Sequence, residues 1–157
     1  TLNRAFTVSI VPLKNYPAML VFIKPKSKVA YQDWGILVLR VFVPLLLLTH
    51  GYDKLLSFLN GASGFPDPLH VGAQFSHALA VVGEVIAPIL VMLGLWTRVA
   101  CLIEIIHFLV VAFMMHAGEP LSEKEHALLF LIPYITILLI GAGKYSLDKS
   151  LYQKRRF

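Results

Sequence analysis

Apolar residues fill the chain in four long runs, and the few polar positions that interrupt them carry most of the information. The first run covers residues 34–48, is broken only by Arg40, and can continue as helix to residue 59. The second, 75–96, holds one carboxylate, Glu84, and the third, 99–115, contains Glu104 and His107. The fourth, 127–142, has no charge at all. A membrane-spanning helix needs about 20 residues, within a range near 17–25, and each run reaches that length with its flanking turn. Stretches such as LLFLIPYITILLIGAG and LIEIIHFLVVAFMM are apolar on every side, whereas a soluble helix keeps a charged face. They also lack the alternation over about ten residues that marks a membrane β-strand. The pattern predicts an all-α polytopic membrane protein, a four-transmembrane-helix bundle. Pro44, Pro88 and Pro133 fall inside three of the runs and predict local bends, because groups on neighbouring helices can satisfy the freed carbonyls.

Composition points the same way. Of 157 residues, 57% are hydrophobic and only 15% charged, against about 45–50% and about 25% in a soluble domain. The formal charge is +5, but the basic residues flank the apolar runs and form no stripe with interleaved aromatics. Membrane lipid is therefore the expected partner and nucleic acid is not. The one cysteine, Cys101, lies in an apolar run, which excludes a disulfide framework and a cysteine-rich metal site.

Charge bias sets direction. Arg4, Lys14, Lys24, Lys26 and Lys28 precede the first run, Arg98 lies between the second and third, and Lys144, Lys149, Lys154, Arg155 and Arg156 follow the fourth. Lys54 and Lys124 stand on the opposite side. Basic residues favour the cytoplasm, so both termini are expected there. Residues 1–33 read as a cytoplasmic or interfacial segment, since AMLVFI is too short to cross and Lys24 closes it. Residues 34–149 form the membrane domain and 150–157 a basic tail. Tyr31, Trp34, Trp96 and Tyr145 suit an aromatic belt at the cytoplasmic edge.

This topology sorts the ionisable residues by depth. Arg40 and Glu104 each lie five or six residues in from the cytoplasmic side, about 8–9 Å deep at 1.5 Å per residue. An isolated charge there costs about 2.5–3.5 kcal/mol, so an Arg40–Glu104 ion pair is expected, with His107 on the face of Glu104. At the outer edge, His50 and Lys54 share one face of the first helix, while His77 and Glu84 share one face of the second. His116 ends the third run, and Glu125 with His126 opens the fourth. The expected consequence is a polar pocket lined by His50, Lys54, Glu84 and His116, with Lys54 or His50 as the partner of Glu84. Phe65, Leu69, Val71 and Phe75, in and beside the Gly- and Pro-rich link, are expected to lie over it as a lid.

THGYDKL in the first run, GFPDPL in the link, GEVIAPILVMLGLWTRVA across the second and third, and GAGKYSLD at the end together resemble the DoxX family, small four-helix membrane proteins of bacteria and archaea. The resemblance covers residues 34–149. Family positions match His50, Gly51, Lys54, Glu84, Gly94, Arg98, Gly143, Tyr145, Ser146, Leu147 and Asp148. It implies a prokaryotic inner membrane and an association with quinone-linked oxidoreductases, including thiosulfate:quinone oxidoreductase subunits.

Two readings of the outer cluster stay open. In one, the chain is an accessory or quinone-interacting subunit whose pocket supplies proton donors to a quinone. The sequence has no dinucleotide fingerprint, cluster motif or haem-attachment motif, so other complex subunits must supply the electrons and no covalently bound cofactor is expected. In the other, the chain is a non-catalytic structural or assembly subunit and the cluster fixes helix register. A metal is not expected: Glu104-x-x-His107 is half of a di-iron pattern, and no second such pair occurs in a span. Bis-histidine haem through His50 with His77 or His116 is likewise not expected.

Overall fold

The computed structural model describes residues 28–154. Their regular structure is all helix, with no strand among them. Helix α1 is Lys28–Leu59 and runs unbroken through Pro44. Helix α2 is Ala73–Leu93 and contains a π turn, Val82–Ile86. Helix α3 is Thr97–Met115, ending in a second π turn, Val111–Met115. Helix α4 is Leu121–Ile140 and α5 is Leu147–Lys154.

By length and composition α1, α2 and α3 can each cross a membrane. Helix α4 starts earlier than the apolar run suggests, because its first two turns carry Glu123, Lys124, Glu125 and His126. Its uncharged part, residues 127–140, spans about 21 Å at 1.5 Å per residue. Large apolar side chains point outward all round the molecule: Phe42 is 58% exposed, Ile106 61% and Leu139 75%. Water would penalise such a surface and lipid does not.

The interior is made by all four long helices. Leu47 of α1, Ala87 and Val91 of α2, Ala100, Cys101 and Phe108 of α3, and Leu131, Tyr134 and Ile137 of α4 form one cluster. Phe108 stacks on Phe130 at 5.4 Å between ring centres. Gly83 and Ala87 of α2 and Ala100 of α3 are small residues in this interior, and Gly83 sits directly against His107 of α3, the packing mode that works where lipid removes the hydrophobic drive.

The α2–α3 turn is a glycine-ended helix stop. Leu95 N–H donates to Leu90 O and Gly94 N–H to Val91 O, the paired bonds of a Schellman cap. Gly94 takes the left-handed conformation this requires, at φ 69°. Asp148, from the start of α5, accepts from the backbone N–H groups of Trp96 and Thr97 and from the Thr97 hydroxyl, at 2.7–2.9 Å. It thus satisfies orphan donors at the start of α3, where the helix dipole also favours a negative group.

Candidate functional site

Glu84 stands in the π turn of α2 and is 4% exposed. Pro88 lacks an N–H and cannot bond the Glu84 carbonyl four residues before it. The helix widens there, and Ala87 N–H reaches back to Val82 O. Single π turns of this kind recur at functional sites. Facing the turn, Gly51 of α1 lies so close that a Cβ would come within 2.8 Å of the Glu84 carbonyl carbon and 2.9 Å of Val85 Cγ2. That approach puts Lys54, one turn further along α1, in an ion pair with Glu84 Oε1. His107 of α3 brings its Nε2 to 3.0 Å from the same oxygen. Its ring occupies space left by Gly83, where a Cβ would stand 2.7 Å from the imidazole. Glu84 Oε2 is buried and has no hydrogen-bond partner among the described residues.

Two cavities meet at this carboxylate. The larger, about 310 Å³, runs between α2 and α3 and is roofed by Phe65, Pro66, Pro68 and Leu69. Its walls are apolar, including Leu79, Ile106 and Val110, and its polar groups are Lys54, Glu84, His107 and Ser76. The smaller, about 150 Å³, lies between α1, α3 and α4. All four residues expected to share a pocket, His50, Lys54, Glu84 and His116, line it, together with Glu123 and His126. Lys54 and Glu84 therefore form a wall common to both spaces.

Glu123 and the role of His107 escape a reading by apolar runs, and His126, expected at the outer edge, joins the pocket itself. Glu123 and His126 are three apart, so once α4 begins at Leu121 they share a face, and that spacing was the available signal. His126 also packs against His50, ring centres 5.0 Å apart. His77 lies apart from Glu84: it stacks on Phe65 at 4.1 Å and donates from Nε2 to Lys54 O at 3.0 Å. His70 is exposed in the link. Of the four lid candidates, Phe65 and Leu69 cover the larger cavity, whereas Val71 and Phe75 are exposed.

The expected Arg40–Glu104 ion pair is not formed. Arg40 is 2% exposed and donates from Nη1 to Ala142 O at 2.5 Å and from Nη2 to Tyr145 O. The physical reason is that residues 141–146 leave helical geometry after α4, so their carbonyls need donors that no helix supplies. A guanidinium fork answers two of them at once. Glu104 turns instead into the core beside Tyr134 and Cys101, fully buried, and both its oxygens lack a hydrogen bond among the described residues. The guanidinium lies beside Gly94, at the turn that precedes α3, whereas Glu104 stands seven residues into α3, so the two groups differ in height as well as in direction.

The link that roofs the larger cavity is tied by Asp67. Its carboxylate accepts from Val71 and Gly72 N–H and from the Ser76 hydroxyl, at 3.1, 2.7 and 2.6 Å. These bonds, that of Ser76 foremost, hold the carboxyl below its ordinary range. Among the described residues no three His, Cys, Asp or Glu side chains converge to hold a metal ion.

Comparison with known proteins adds an independent line. The DoxX family profile matches residues 35–117. Inner membrane protein YqjF of Escherichia coli K12 is 26% identical over 137 residues, covering 78% of this chain and 96% of that protein. A Haemophilus influenzae protein named only as uncharacterized is 31% identical over 137 residues, covering 79% of this chain and 96% of its own length. No solved structure matches.

Proposed function

The chain belongs to the DoxX family of membrane proteins, and from that premise we propose that it is a quinone-interacting accessory subunit of a membrane oxidoreductase. In this reading four helices cross a prokaryotic inner membrane, both ends face the cytoplasm, and the name of the Escherichia coli relative supports that location. The observation that carries the reading is the apolar cavity of about 310 Å³ ending on Lys54, Glu84 and His107. Its walls suit an isoprenoid tail, and its polar end suits a ring that carries oxygens. Lys54 has ammonium protons beyond the one on Glu84 Oε1 to offer a quinone oxygen, while Glu84 Oε2 is free to accept from a quinol hydroxyl. A bound quinone would supply the redox chemistry. The chain's own residues hold the ring, keep water from the tail and offer a proton acceptor beside it. A partner subunit would supply or take up the electrons.

The test is binding of a long-chain quinone to the purified protein in lipid nanodiscs. Wild type is expected to bind, and Glu84→Gln to bind at least about tenfold more weakly, a change of 1.4 kcal/mol. Absence of binding by wild type, alone and with its co-purifying partners, sinks the proposal.

A second reading, a structural or assembly subunit, draws support from the Arg40 and Asp148 contacts, which use family-matched terminal residues to tie helix ends together. It predicts that deleting the protein lowers the amount of its complex while the specific activity of what remains is kept.

A further inference from the structure

We propose that the histidine-lined cavity is the route by which Glu84 exchanges protons with water at the end of the molecule where α1 ends and α4 begins. The inference deepens the quinone reading by giving the site a proton path, yet its test needs no quinone.

Five observations carry it. Lys54 and Glu84 line both cavities, so whatever protonates Glu84 can arrive from either. The larger cavity offers no titratable side chain beyond Lys54, Glu84 and His107. The smaller one presents His50, His116 and His126, the side-chain type whose proton affinity is matched to neutral water. His50 and His126 are exposed and the His116 side chain is 30% exposed, so the same imidazoles reach the outside. Finally, Glu84 Oε2 is buried and unpartnered among the described residues, an acceptor without a donor of its own.

The groups that face Glu84 are Lys54 and His50 from α1, His107 and Glu104 from α3, and His116, Glu123 and His126 across the smaller cavity. Lys54 and His107 already hold Oε1. Glu104 is fully enclosed by protein and has no way out to water. The three imidazoles and Glu123 remain, with His116 Nδ1 held by Glu119 Oε2 at 2.5 Å on its outer side. A volume of about 150 Å³ has room for several waters at about 30 Å³ each, enough to bridge them to the carboxylate.

The step is proton transfer alone. The O–H bond on Glu84 breaks, its electron pair stays on the carboxylate, and an N–H bond forms on an imidazole. That imidazole gives its other proton to water. No electron moves.

The experiment follows the infrared band of the Glu84 carboxyl group, identified by its loss in Glu84→Gln, after a rapid pH change on the full chain in nanodiscs. In the double variant His50→Phe/His126→Phe, which keeps ring volume and removes the titrating nitrogens, the exchange is expected to slow at least tenfold. His116→Phe alone, at the end of α3, is expected to slow it at least threefold, and it serves if the double variant does not fold. Unchanged rates in the variants overturn the proposal. Quinone binding is measured separately: slowed exchange without any binding supports the proton route and removes the quinone reading, while binding with unchanged exchange does the reverse.

Discussion

Gly51 of α1 touches the peptide carbonyl of Glu84 in α2, backbone against backbone, one turn from the Lys54–Glu84 ion pair. The contact explains why a glycine follows His50: any side chain there would push Lys54 away from the carboxylate it pairs with. Membrane helices commonly use small residues to approach in this way.

Gly51→Ala therefore tests the approach. In a helix, alanine gains up to about 1 kcal/mol over glycine. At Gly51 the added methyl meets backbone that cannot yield, and overpacking costs about 1–3 kcal/mol. A net loss of stability is expected in detergent-driven unfolding, and Gly35→Ala, with nothing within 4 Å, is expected to be neutral or stabilising.

Lys54→Met removes the cation from a carboxylate that is only 6% exposed in its side chain. Breaking a fully buried pair costs about 3–5 kcal/mol, and the 37% exposure of Lys54 lowers the expected loss to about 1–3 kcal/mol. The double variant Lys54→Met/Glu84→Gln should recover most of that stability in the same unfolding measurement. If it falls by the sum of the two single losses, the two groups do not act as a pair.

Arg40→Lys keeps the charge but loses the two-pronged donation to the carbonyls of Ala142 and Tyr145. Hydrogen exchange is expected to rise at least tenfold over residues 141–150 and to stay unchanged over residues 51–59. A uniform rise across both would mean that Arg40 supports the whole molecule and not the terminal segment.

Asp67 gives the link a pH response. Its carboxyl is held below the ordinary range, chiefly by the Ser76 hydroxyl, then by the Gly72 and Val71 amides. A lowered carboxyl contributes stability above its ordinary value and loses that contribution as pH falls through its value in the folded protein. Exchange protection of the Val71 and Gly72 amides, corrected for intrinsic rate, should therefore drop in acid below the ordinary carboxylate range. Asp67→Ala should show the acid-like protection already at neutral pH.

Much of this could be read from the order of residues. Lipid is a uniform apolar solvent, so a helix that spans it must be apolar on every side, and α1, α2 and α3 are legible as runs. Depth is also legible, since each residue adds a constant rise, and that is why His50, Lys54, Glu84 and His116 could be grouped at one level. The direction each side chain faces around its helix is a different matter, because it depends on how neighbouring helices rotate and how closely they approach. Arg40 and Glu104 stand nearly the same number of residues into their apolar runs yet go to different places: open carbonyls after α4 draw the first toward the α2–α3 turn, and the packed core takes the second. His107 reaches Glu84 only because Gly83 clears its path and a π turn shifts the carboxylate. The start of α4 was hidden for a related reason: its charged opening turns are helical but not apolar, so hydropathy skips Glu123. Height along the membrane normal is set by counting residues in one chain, whereas the meeting of side chains from separate helices is set by packing, which no single run of residues contains.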